Sequence, residues 1–158
     1  PKTPKPQSSH KSYVIMESKA AKNLYTVLNN GMKMPRFGLG TYHMHDMQTI
    51  KKAVSEQGYR MYDCASYYKN EEVVGEAIHE LIEKDKVIAR EDLFVVSKVW
   101  WDEVSDVEAA CKRSLKNLGL DYLDCYLIHW PVAVNKIDGE DGSVTYERNN
   151  IPMHKIWE

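Results

Sequence analysis

Tyr62-Asp63-Cys64-Ala65-Ser66-Tyr67-Tyr68-Lys69-Asn70-Glu71-Glu72-Val73-Val74-Gly75 takes the chain from one kind of secondary structure into another. Residues 59–65 read as a strand. From Asn70 the apolar residues change to helical spacing, with Val73, Val74, Ala77, Ile78, Leu81 and Ile82 in one stripe. Asn70 is the expected N-cap, and Glu71 and Glu72 occupy the first turn, where the helix dipole favours acids. A strand passing within a few residues into a helix is half of a β-α-β crossover.

The same alternation recurs on both sides. Downstream, Leu93-Phe94-Val95-Val96 is wholly apolar, as expected for a strand covered on both faces. Ser105-Asp106-Val107-Glu108 reads as a capping box, with Val107, Cys111, Ser114, Leu115 and Leu118 as the buried face up to Gly119. Residues 122–128 form a further strand, closed by His129-Trp130-Pro131. Upstream, Phe37 to Thr41 is a candidate strand, Asp46 can cap the next helix, and Ile50, Ala53 and Val54 share its inner face before Gly58. Before these, Tyr25 to Leu28 and Met32 to Met34 flank Asn29-Asn30-Gly31, the signature of a β-hairpin. The fold class is therefore α/β, a parallel sheet of about four β/α units preceded by a hairpin. Glu147 and Arg148 read as part of a polar loop, and Ile151 to Trp157 as a helix start with Pro152 near its first position.

With 158 residues the chain has room for one domain with a real core, but not for an eight-stranded α/β barrel, which takes about 250 residues. Lys plus Arg number 21 against 23 acidic residues, so nothing points to nucleic acid or an anionic membrane. No apolar run approaches the ~18 residues of a membrane span. Three cysteines, Cys64, Cys111 and Cys125, each fall in an expected strand or helix, which suits reduced core thiols and a cytoplasmic location. Residues 1–22 read as a disordered basic tail and residues 23–158 as the folded region.

Four residues that carry chemistry fall around strand ends: Asp63, Tyr68, Lys98 and His129. An unpaired charge at the end of an apolar strand is costly, so Asp63 and Lys98 are expected to pair. A purely structural ion pair on the rim of the sheet is the competing account. Tyr68 is a usable acid only where a cation favours phenolate, a part Lys98 can play, and His129 could donate to a substrate oxygen or simply pack. Trp100 and Trp101 could wall an apolar pocket or cover the sheet. Gly38-Leu39-Gly40 is followed at position 43 by His, which fails the dinucleotide fingerprint, and His43 with His45 has no companion ligands, so no metal is expected.

Three separated runs in order then resemble the aldo-keto reductases: Leu28 to Pro35 with Gly38-Leu39-Gly40-Thr41; Tyr62 to Gly75; and Val96-Ser97-Lys98-Val99-Trp100 leading to Asp121-Tyr122-Leu123-Asp124 and His129-Trp130-Pro131. The resemblance implies the N-terminal half of a (β/α)8 TIM barrel, interrupted in the helix after the fourth-strand loop. It also implies NADPH-dependent reduction of aldehydes and ketones by the intact enzyme, with this half inactive by itself. The family's tetrad falls on Asp63, Tyr68, Lys98 and His129, and its spacing selects Tyr68 over Tyr67. Thr41, Tyr42 and Asp63 match cofactor-side positions, although the family more often has Trp at position 42. Trp100, Trp130 and Tyr42 match pocket aromatics. The expected partners are a small carbonyl substrate and the remaining half of the barrel, or another protein covering the open edge. A structural or regulatory subunit built on a partial barrel is the alternative.

Overall fold

A computed structural model describes residues 24–158; the expected tail lies outside them. Residues 24–36 belong to one unit. In it β1 (Tyr25–Val27) and β2 (Lys33–Pro35) pair antiparallel, with Thr26 opposite Met34. Gly31 makes the turn at φ 85°, a region open to residues without Cβ, and the Asn30 side chain accepts the Met32 N–H.

The second unit, Phe37–Glu158, holds the sheet. Four parallel strands lie in chain order: β3 (Leu39–Gly40), β4 (Met61–Asp63), β5 (Phe94–Val99) and β6 (Cys125–Ile128). Between them run α1 (Met47–Ser55), α2 (Glu71–His79, widened into a π turn over Glu80–Lys84) and α3 (Val107–Leu118). This is the parallel α/β order that the sequence predicts. Asp46 caps α1 as expected, accepting from the Gln48 and Thr49 amides.

Three local expectations are corrected. Asn70 stands at the N-terminus of α2 but does not cap it; its Nδ2 donates to the carbonyls of Thr41 and Met44, so the side chain ties two loops together. Ser105 is not the cap of α3; Asp106 is, accepting from the Ala109 amide. Residues taken as polar loop form a second hairpin, β7 (Ala133–Asp138) and β8 (Val144–Asn149), turning at Gly142. Asp138-Gly139 and Asp141-Gly142 were its turn signal, masked by the low hydrophobicity of both strands. The last helix, α4, covers Met153–Trp157, with Pro152 as its cap residue.

Strand alternation decides which side chains meet helices and which face the other way. On β5, Val95 packs with Ile50, Val54, Val74, Ile78 and Leu81 in the main core, and Ser97 donates to the buried Glu71 of α2 at 2.6 Å. Tyr62 on β4 turns the same way and reaches the Ile50 carbonyl at 2.7 Å. Val99 joins a second cluster with Val104, Ala110, Ala133 and Ile156. The intervening residues, Asp63 on β4 and Lys98 on β5, therefore share the opposite face.

α2 and α3 pack closely at Gly75. A Cβ there would sit 2.3 Å from the Leu118 carbonyl oxygen and 2.7 Å from its Cα. Backbone cannot yield as a flexible side chain does, so the two helices would have to separate. Gly75→Ala is expected to destabilise the fold by about 1–3 kcal/mol despite the better helix propensity of alanine, read as a lower urea midpoint.

Candidate active site

Register brings the acid and the amine together. Asp63 lies opposite Val96, so Lys98 is two residues further along the neighbouring strand and on the same face. Its Nζ lies 2.7 Å from Asp63 Oδ1, donates to the Cys64 carbonyl at 2.7 Å and reaches the Tyr68 hydroxyl at 3.2 Å. All three ammonium donors thus have an oxygen partner, which offsets the cost of enclosing a side chain only 11% exposed. The Asp63 side chain is 40% exposed.

Tyr68 arrives on a short 3-10 turn, Ser66–Tyr68, which follows β4 after Cys64 and Ala65 and is closed by Lys69 in the left-handed region at φ 54°. His129 follows β6, where its amide donates to the Val99 carbonyl at 3.1 Å. Because Leu127 pairs with Lys98, the residue two further along lies on the lysine's face. The His129 ring stands edge-on to Tyr68 at 5.7 Å between centroids and edge-on to Trp100 at 4.9 Å. The structure therefore brings together all four residues of the expected tetrad.

Burial, and then the Lys98 charge, push the imidazole below its ordinary value, against a smaller opposing pull from Asp63. His129 is accordingly neutral at pH 7, with Nδ1 buried and unpartnered. The lowered value has a sign for stability. The unfolded chain takes up a proton through about pH 6.5 while the folded one does not, so stability held above that pH falls as pH drops through it. The difference in urea midpoint between pH 7.5 and 5.5 is expected to shrink in His129→Gln. An unchanged difference would mean that His129 takes up its proton over the same pH range folded and unfolded.

Aromatic rings enclose this face. Tyr42 lies 5.0 Å from Tyr68 and 6.4 Å from Tyr67, and Tyr67 stacks on Trp100 at 3.9 Å and 16°. Trp101 continues the series to Trp130 and to Tyr146 of β8. Trp130, half-exposed, touches Trp101 rather than the tetrad. Thr41 is fully buried and donates to the Asp63 carbonyl, so its place is behind the aspartate. Tyr67 settles into the wall, while the Tyr68 hydroxyl is the one that meets Lys98. An open cavity of about 610 Å³ lies beside that wall, lined by Tyr67, Trp100, Lys69, Arg113 and Tyr146 among others, and by none of the tetrad.

The sequence reading missed Ser66 and Glu103, which connect the tyrosine turn to the end of β5. No local pattern marks them. No cluster of three or more His, Cys, Asp or Glu among the described residues could hold a metal ion, and His43 packs on Tyr42 at 3.8 Å. The three cysteines are free thiols, Cys64 pushed up to about 12 by burial. No helix among the described residues is long and apolar enough to cross a membrane.

Residues 36–155 match the sequence model of the Aldo/keto reductase family. Aldo-keto reductase family 1 member A1 of Gallus gallus is 44% identical over 133 residues, covering 78% of this chain and 40% of the relative. An aldehyde reductase of Saccharomyces cerevisiae is 40% identical over 144 residues, covering 83% and 45%. The crystal structure of a Bombyx mori aldo-keto reductase in complex with NADP superposes with a TM-score of 0.71 at 36% identity, covering 84% of this chain and 44% of that one. The chain thus spans less than half the length of these relatives.

Proposed function

Since the chain belongs to the aldo/keto reductase family, we propose that the intact protein reduces aldehydes and ketones to alcohols with NADPH, and that Tyr68, Lys98, Asp63 and His129 perform the proton chemistry. The observation that carries this reading is the single ammonium group of Lys98 set between Asp63 and the Tyr68 hydroxyl. A structural ion pair has no need of the phenol.

The residues fit a nicotinamide cofactor where they can be tested. Tyr42 and Asp63 are partly exposed beside Tyr68, and His129 keeps a buried nitrogen free for a polar partner. NADPH, when bound, supplies the hydride that reduces the carbonyl carbon. Tyr42 and Asp63 would hold it, with Thr41 supporting Asp63 from behind. Tyr68 gives its hydroxyl proton to the carbonyl oxygen as negative charge develops there, and Lys98 stabilises the phenolate left behind. Asp63 balances Lys98 and holds it in place. His129, neutral, can donate one ring N–H to the same oxygen and so orient it. Trp100, Trp130 and Tyr42 wall an apolar approach, suited to a carbonyl compound with an apolar body. Reduced thiols suit a cytoplasmic setting.

We read residues 23–158 as the first half of a barrel that contributes the acid-base part of the site and is inactive by itself, a reading supported by the 40–45% of each relative's length that the chain covers. A second reading is compatible with the edges of the sheet. Among the described residues β3 and β6 are each paired on one side only, and Leu127 of β6 is partly exposed. The rest of a barrel would cover these edges, and so would another protein holding the sheet as a structural or regulatory subunit. Purified intact protein with NADPH and a small aldehyde separates the two. Loss of NADPH matched by alcohol formed is expected; no NADPH binding and no turnover would favour the non-catalytic subunit.

A further inference from the structure

We infer that Glu103 is a positioning residue, which fixes the turn carrying Tyr68 against the strand carrying Lys98; the inference rests on the reductase reading. Glu103 lies five residues beyond Lys98 and contacts neither the phenol nor the ammonium. Its Oε2 accepts the Ser66 hydroxyl at 2.8 Å and the Trp100 amide at 3.4 Å, while Oε1 takes the Arg113 guanidinium from α3. The Ser66 hydroxyl lies in addition 3.3 Å from the Lys98 carbonyl oxygen. One carboxylate therefore joins three segments: the first residue of the tyrosine turn, the end of β5 and the helix behind.

The turn has little else to fix it. Its own hydrogen bonds are local, from Tyr68 to Ala65 and from Lys69 to Ser66, and the nearest backbone bond to β5 is that of the Cys64 amide to the Val96 carbonyl, two residues before the turn. Beyond Tyr68's own contact with Lys98 and the ring packing of Tyr67 and Tyr68, the Ser66 side chain is its fastening to β5. The reacting pair meets at 3.2 Å, near the long end for a useful hydrogen bond. Displacing a catalytic group by about 1 Å can cost on the order of a hundredfold in rate, so a tether this close has leverage without touching substrate. The Trp100 amide bond adds to this, because the same carboxylate orients the tryptophan that stacks on Tyr67.

The test uses the intact protein with NADPH and a small aldehyde, alongside Tyr68→Phe. Glu103→Ala is expected to lower kcat about tenfold with the KM for NADPH within about twofold. Glu103→Gln, which keeps an acceptor oxygen for Ser66 and Trp100, should recover most of that loss. Arg113→Met removes the same ion pair but keeps the Ser66 and Trp100 contacts, so it should lower kcat clearly less than Glu103→Ala, which separates positioning from general support of α3. Ser66→Ala, a smaller change less prone to misfolding, should lower kcat several-fold. Wild-type kcat in both Glu103→Ala and Ser66→Ala would overturn the inference, and so would an equal fall in Arg113→Met. If Tyr68→Phe itself turns over normally, the reductase reading fails and the inference falls with it. If only Tyr68→Phe is inactive, the reading stands and Glu103 does not position it.

Discussion

Tyr68→Phe in the intact protein is expected to lower kcat by about 10²–10⁴, equivalent to about 3–5 kcal/mol of transition-state stabilisation, while NADPH still binds. The substitution removes one oxygen and little else. The ring keeps its edge contact with His129 and its packing on Tyr42, so the pocket retains its shape. What disappears is the only hydroxyl among the tetrad and the proton it delivers. Lys98 keeps Asp63 and the Cys64 carbonyl, so the ammonium is not orphaned and the fold should lose little stability. Steady-state rates, with the urea midpoint measured on the same preparation, check both halves. Normal turnover would remove Tyr68 from the mechanism.

Lys98→Met should cost a similar factor in rate, about 10²–10³ for loss of the charge that stabilises developing phenolate, but with a different accompaniment. Here the Cys64 carbonyl loses its donor and Asp63 its counter-charge. Asp63 is partly exposed, so water replaces much of the pairing, and the loss should fall below the ~3–5 kcal/mol seen when fully buried pairs are broken. The double variant Lys98→Met with Asp63→Asn should then be less destabilised than the sum of the single ones, since the aspartate charge is removed along with its partner. Additive stabilities would mean that the pair contributes nothing as a pair, and a rate loss below tenfold would demote Lys98 to a structural residue.

The difference between the two variants explains why the chemistry was legible in the chain while its supports were not. Asp63 and Lys98 stand out because charged residues ending apolar strands demand a partner, and alternation along β4 and β5 places both on one face. The helices were equally readable, since the stripe from Val73 to Ile82 can bury itself in one way only. Asn70 was misread because cap preference is local, and the contacts that recruit its amide, Thr41 and Met44, lie more than twenty residues away. Asp106 won the cap of α3 from Ser105 by a shift of one residue, within the usual uncertainty of helix ends. The hairpin of β7 and β8 escaped because strands such as Asn135-Lys136-Ile137-Asp138 bury little, so alternation carries no hydrophobic signal there. Glu103 and Ser66 join segments whose proximity exists only after the sheet has formed.

The pairing of Asp63 with Val96 in neighbouring strands bears on how the protein can vary over evolution. Loops that carry neither Tyr68 nor the contacts that hold it can gain or lose residues with little effect, because the sheet sets the geometry of the strand ends. A single residue inserted between Phe94 and Lys98 is another matter: it would turn the lysine toward α2 and leave Asp63 facing a neighbour of the wrong kind. Sequence drift in this part of the chain should therefore proceed by substitution, with insertions and deletions confined to connections outside the Ser66–Tyr68 turn and the segment 100–103.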